Sequence, residues 1–127
     1  YNQSFNRIVE LNDSIIRYLM QVWQVEPKVH FASEMESGGT KTSLLANLCV
    51  EAGAQTYISG PFGREYVDRS VFERAGIGLL FHDYTHPVYE QAYPGFEPYM
   101  SAVDLLMNAG SQGREILETR NETLSRT

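Results

Sequence analysis

Thr56-Tyr57-Ile58-Ser59-Gly60-Pro61-Phe62-Gly63 is an apolar run broken by a glycine–proline turn. Read together with Ile77-Gly78-Leu79-Leu80-Phe81-His82-Asp83-Tyr84, it decides the fold. Between the two runs, Asp68 is suited to cap a helix that carries Val71, Phe72 and Ala75 inward, and Gly76 is suited to end it. In the second run Ile77, Leu79 and Phe81 point one way and Leu80 the other. Both faces are apolar, which marks a central parallel strand. A strand, a helix and a strand joined by short connections require a right-handed crossover.

The pattern extends upstream. Residues 42–52 read as a helix with Leu45, Leu48, Cys49 and Ala52 on one face, Thr40 or Thr42 as N-cap and Gly53 just past the end. Lys28-Val29-His30-Phe31-Ala32 reads as a short strand before it. The expected fold class is therefore α/β: a Rossmann-like parallel sheet of about three strands, flanked by helices in a three-layer α/β/α order. The loop Ser37-Gly38-Gly39-Thr40-Lys41-Thr42 invites comparison with a phosphate-binding P-loop, but Thr40 precedes Lys41 and Met35 stands where the earlier glycine belongs. A flexible loop leading to a helix cap is the better reading.

Residues 1–23 follow the three-or-four spacing of a buried helix face through Phe5, Ile8, Leu11, Ile15, Leu19 and Val22. Asn12-Asp13-Ser14 offers a later start, with Asp13 as the cap. Trp23 reads as a core aromatic. Downstream, Ser101 and Asp104 have the spacing of a capping box that opens a helix with Leu105 and Leu106 inward. Gly110 ends it, and a further helix with Ile116 and Leu117 follows. The expected organisation is one α/β domain over residues 1–117 and a polar tail over 118–127. The chain opens without Met and inside a helical pattern, which leads us to expect the C-terminal portion of a longer polypeptide.

Composition narrows the function. The net charge of −6 lacks the basic footprint of a nucleic-acid or anionic-membrane binder. No apolar run approaches the roughly 20 residues of a membrane span. Cys49 is the sole cysteine, so no internal disulfide forms and a cytoplasmic location is expected. On the helix face Cys49 reads as an inert core thiol.

Three unusual connections leave the same expected strand ends: the segment after Ala32, the turn at 60–63, and the aromatic, proline-rich loop at 84–99. In open parallel sheets that edge holds ligands. Gly60 and Gly63 either let a ligand approach bare amides or simply serve the turn. Arg64 either forks onto a phosphate or carboxylate or is solvated. His82, Asp83 and His86 fit a metal poorly, because adjacent residues of an extended segment point to opposite faces. A histidine base oriented by a carboxylate fits better, since this residue type titrates near neutrality. Tyr89 and the Gln91 amide combine rings with polar tips that suit sugar or nucleotide hydroxyls. Ser101 and Asp104 are explained by capping, and Asn108 by a helix end. The same loop could instead be a lid or an interface with a partner chain.

Tyr57-Ile58-Ser59-Gly60-Pro61-Phe62-Gly63-Arg64-Glu65-Tyr66, then Phe72 with Gly76-Ile77, then His86-Pro87-Val88-Tyr89-Glu90-Gln91, then Phe96-Glu97-Pro98-Tyr99 and Ser101-Ala102-Val103-Asp104-Leu105-Leu106-Met107-Asn108-Ala109-Gly110 resemble the WbqC-like protein family of bacteria. Phe62 departs from that family's double glycine, and its N-terminal Tyr-Gln-Pro signature has no counterpart here. The resemblance implies a transferase of O-antigen or surface-polysaccharide synthesis that passes an aminoacyl or other acyl group to a nucleotide-linked amino sugar. The residues then expected at substrate are Ser59, Gly60, Gly63, Arg64 and Tyr66, with Tyr89, Gln91, Ser101 and Asp104. Those expected to move protons are His82 and His86, with Asp83. The partner expected is a small-molecule nucleotide sugar, with no cofactor or metal assigned; in the interface reading it is another chain, a second copy included, or the upstream half.

Overall fold

The computed structural model describes residues 4–119 and the backbone of 124–125. They fall into two compact units, residues 28–85 with 124–125 in one and residues 4–27 with 86–119 in the other. The first unit is a mixed α/β structure. Strands β1 (Thr56–Ser59) and β2 (Gly78–His82) pair in parallel, with Tyr57 opposite Leu79 and Ser59 opposite Phe81. Helices α2 (Lys41–Glu51) and α3 (Arg69–Arg74) supply Ala46 and Phe72 to a core with Ile77, Leu79 and Phe81. Phe72 is fully buried, and its ring stacks on Tyr57 at 5.0 Å. The alternation of β2 explains this: Ile77, Leu79 and Phe81 are buried, as their spacing requires. On the opposite face, Ile58 is 53% exposed and Leu80 is half-buried.

The caps form largely as read. The Asp68 carboxylate accepts from the Ser70 N–H at 3.0 Å and from its hydroxyl at 2.8 Å, and these bonds hold its pKa below the ordinary carboxylate range. Gly53 and Gly76 both take positive φ just beyond α2 and α3. Thr40 precedes α2, its N–H donating to Ser43 Oγ at 3.1 Å. A contact not foreseen ties the helices together: the buried Thr42 hydroxyl accepts from the Asp68 N–H at 3.2 Å.

One expected strand is corrected. Residues 28–32 form no strand; the segment is irregular and enters a single 3₁₀ turn, Ala32–Glu34. Val29 and His30 are exposed, so the run buries neither face, and a parallel strand must bury both. The third strand is instead β3 (Leu124–Ser125), antiparallel to β2 with Leu124 opposite His82. The rest of the tail expected beyond 119 lies outside the described residues.

The loop before α2 is held by one carboxylate. Glu51, at the end of α2, accepts from the Glu36 N–H at 2.9 Å, the Ser37 N–H at 2.8 Å and the Ser37 hydroxyl. The Ser37 hydroxyl, followed by the Glu36 amide, holds the Glu51 pKa below the ordinary glutamate range. A lowered folded pKa means the clasp is complete above the unfolded value and is lost as pH falls through the folded one. The Glu36 and Ser37 amide resonances are therefore expected to titrate together at a pH below that of ordinary glutamates. They should be displaced at every pH in Glu51→Gln. Amides that follow an unshifted glutamate titration would refute the clasp.

The second unit is helical. Helix α1 (Ile8–Val22) begins at Ile8, not at Asp13, which lies inside it and pairs with Arg17 at 2.9 Å. Its last turn brings Leu19, Val22 and Trp23 to a core shared with Tyr89, Phe96 and Leu105. Helix α4 (Ala102–Ala109) buries Leu105, and α5 (Gly113–Glu118) adds Ile116 and Leu117. Trp23 donates from Nε1 to the Gly110 carbonyl at 3.0 Å, which satisfies the polar edge of a buried indole.

Candidate functional site

In the α/β unit the connections after β1 and β2 leave the C-terminal end of the parallel pair. β1 ends at Ser59, and the chain makes a 3₁₀ turn over Pro61–Glu65. Ser59 is buried and its hydroxyl donates to the Gly60 carbonyl at 3.1 Å. Gly63 packs directly on it: a Cβ at Gly63 would stand 1.9 Å from Ser59 Oγ. The glycine is thus needed for close packing of the turn on the strand.

The turn delivers Arg64 to Asp83. Nη1 and Nη2 bind the two carboxylate oxygens at 2.8 and 2.9 Å, a bidentate fork. The guanidinium also lies over the Phe81 ring, 4.7 Å from its centroid. Asp83 follows β2 as Arg64 follows β1, and the parallel register places both at one edge. A crossover aligns the two exits, so their shared edge follows from the strand order; the pairing of these two side chains does not. The carboxylate expected to orient a histidine is engaged by this arginine. The neighbouring His82 ring tilts against Tyr84 at 5.9 Å, and burial pushes the Tyr84 phenol up. Tyr66 is exposed at the end of the turn.

The helical unit holds the other expected residues. Asp104 does not act as a capping side chain. Its carboxylate accepts from the Tyr89 hydroxyl at 2.8 Å and from Gln91 Nε2 at 3.1 Å. Gln91 completes the link by donating to the Glu97 carbonyl at 3.1 Å and accepting from the Glu97 N–H at 2.8 Å. Asn108, read as structural, accepts from the Ala92 N–H at 2.9 Å and donates to the Asp104 carbonyl at 2.9 Å. Ser101 is the N-cap of α4 without a side-chain cap bond. Helix α4 therefore anchors the aromatic segment at three points, and the Gln91 amide is committed on both of its atoms.

His86 donates from Nδ1 to the Pro87 carbonyl at 2.8 Å, which sets its tautomer. Its ring sits among Tyr89, Phe96 and Tyr99, with centroids at 6.3, 5.8 and 5.2 Å. Tyr99 has a left-handed φ of 62° and is 82% exposed; Tyr93 is 84% exposed. Met100, just before α4, and Val103 and Met107, four residues apart on it, are exposed as well.

Ser59, Gly60, Gly63, Arg64, Tyr66, His82 and Asp83 thus belong to one unit, and His86, Tyr89, Gln91, Ser101 and Asp104 to the other. Among the described residues no group of three or more His, Cys, Asp and Glu side chains is disposed to hold a metal ion. A groove of about 330 Å³ opens beside Thr56, Arg69, Phe72 and Gly78. It lies at the starts of the two strands and includes none of the expected site residues, so it is not the candidate site. Cys49 packs beside the core, and burial raises its thiol pKa, as expected of an inert thiol. No helix among the described residues is long and apolar enough to cross a membrane.

The profile of the WbqC-like protein family matches residues 1–116. A protein of Mycobacterium tuberculosis (strain ATCC 25618 / H37Rv), named only as the uncharacterized protein Rv1507c, is 35% identical over 108 residues, 84% of this chain and 47% of its own length. The chain thus spans about half the length of that curated relative. No solved structure matches this chain.

Proposed function

We propose, from the premise that this chain belongs to the WbqC-like protein family, that it is the anion-binding portion of a transferase acting on a nucleotide-linked amino sugar. The reaction class, aminoacyl or acyl transfer in surface-polysaccharide synthesis, follows from the resemblance alone. The cytoplasmic location is proposed from the lone Cys49, and the Rossmann-like, three-layer arrangement from the strand and helix pattern of the sequence. One observation carries the physical part: an arginine in fork geometry stands on a glycine turn at the C-terminal end of a parallel strand pair. Arg64, with the exposed backbone of the turn at Gly60 and the hydroxyl of Tyr66, takes the diphosphate, while the buried Ser59 and Gly63 shape the turn behind them. His82, at the end of the same strand pair, is the proposed proton carrier. In the helical unit, Tyr89, Gln91 and Asp104 hold the aromatic segment in shape, with His86 among its rings.

A second reading rests on the exposed Tyr93, Tyr99, Met100, Val103 and Met107. An apolar strip of this kind suits a protein interface. One set of samples separates the readings. Titration with UDP-N-acetylglucosamine is expected to shift the amides of residues 59–66, and Arg64→Gln should abolish those shifts. No shift there rejects the transferase reading. Sedimentation of the same samples as dimers that Met107→Glu dissociates would favour the interface.

A further inference from the structure

We infer that Asp83 is a built-in competitor for Arg64, yielding the guanidinium to a multiply charged phosphate while holding off single carboxylates. The inference rests on the anion-binding reading of this rim and adds to it a threshold that a weakly bound anion does not pass.

Three features carry it. The Arg64–Asp83 contact is bidentate, at 2.8 and 2.9 Å, and the same fork fits two oxygens of a phosphate. The pair is open: the side chains are 32% and 44% exposed, so an anion can reach the guanidinium without unfolding anything. The Phe81 ring lies beneath the guanidinium at 4.7 Å. That stacking orients the plane independently of Asp83, so the fork stays aimed when the carboxylate leaves.

Charge then sets the selectivity. A free monocarboxylate brings the same charge and the same fork as Asp83 but must give up its translational freedom, whereas Asp83 is already tethered. A diphosphate places about two negative charges on adjacent linked phosphates, and so gains over the single charge of the carboxylate it replaces. An open ion pair is weak, which limits how strongly Asp83 can resist: the competition amounts to about fivefold. The contrary view is a plain structural clasp between the turn and the end of β2, in which Asp83 never yields.

The test uses inorganic pyrophosphate and acetate, with calorimetry and NMR on the wild type, Asp83→Asn and Arg64→Gln. Wild type is expected to bind pyrophosphate far more tightly than acetate. Asp83→Asn should bind each of the two about fivefold more tightly, and Arg64→Gln should lose both. In the wild type itself, the Asp83 carboxyl carbon and Arg64 Nε resonances should move together as pyrophosphate is added, a readout that does not depend on any variant folding. If Arg64 responds while Asp83 stays still, or if Asp83→Asn binds no tighter, the competitor is overturned and the anion site stands. If pyrophosphate moves neither residue in the wild type, both ideas fall.

Discussion

Replacing Phe72 by alanine is expected to lower the stability of the α/β unit by about 3–5 kcal/mol, the usual cost of emptying a fully buried phenylalanine site. Phe72 is the fully buried large side chain of this core, and it links α3 to β2 while stacking on Tyr57. The core is small, with Ala46, Ile77, Leu79 and Phe81 as its other buried members, so few neighbours can collapse into the space. Phe72→Leu should cost less, about 1–1.5 kcal/mol, because most of the volume is kept. Urea unfolding followed by circular dichroism measures both. A loss below about 1 kcal/mol for the alanine variant would mean that α3 does not close this core, and the edge built on β1 and β2 would lose its support.

Replacing Gly63 by alanine is expected to cost about 2–3 kcal/mol by overpacking. The new methyl would stand 1.9 Å from Ser59 Oγ and 3.0 Å from Ser59 Cβ, and Ser59 is buried at the end of β1, so turning the hydroxyl aside still leaves the Cβ contact. The turn is also bonded through Gly63, whose N–H donates to the Gly60 carbonyl at 3.0 Å and whose carbonyl accepts from the Val67 N–H at 2.9 Å. Displacing it carries Arg64 away from Asp83. The collision has a specific remedy: Ser59→Gly removes both clashing atoms. The double variant should therefore be more stable than Gly63→Ala alone, and the Arg64 Nε resonance should return toward its wild-type position. A Gly63→Ala protein that unfolds like the wild type, or a double variant that falls by the plain sum of the two losses, would show that this packing is absent.

Some of this was legible in advance, for local reasons. Asp68 before an apolar helical pattern, and Gly53 and Gly76 after one, need only their neighbours to act, and each caps or ends a helix as read. The family resemblance was legible for a different reason: ordered fragments from Tyr57 to Gly110 combine into a specific series, and the family profile spans residues 1–116. Residues 28–32 misled because a short β-prone run becomes a strand only where an edge receives it. Ser101 and Asp104 misled differently. Their spacing fits a capping box, yet the Tyr89 hydroxyl and Gln91 amide reach the carboxylate of Asp104.

By itself the sequence determined the elements whose causes are local: the helix caps, the glycine stops, the alternation that buries Ile77, Leu79 and Phe81, and the parallel crossover between β1 and β2. Only the tertiary structure decided who partners whom. Asp83 meets Arg64 across 19 residues, Asp104 meets Tyr89 across 15, and Trp23 meets Gly110 across 87. Such pairings depend on register and on the packing of side chains far apart in the chain. Periodicity records which face a residue takes, and carries nothing about which distant group will be waiting there.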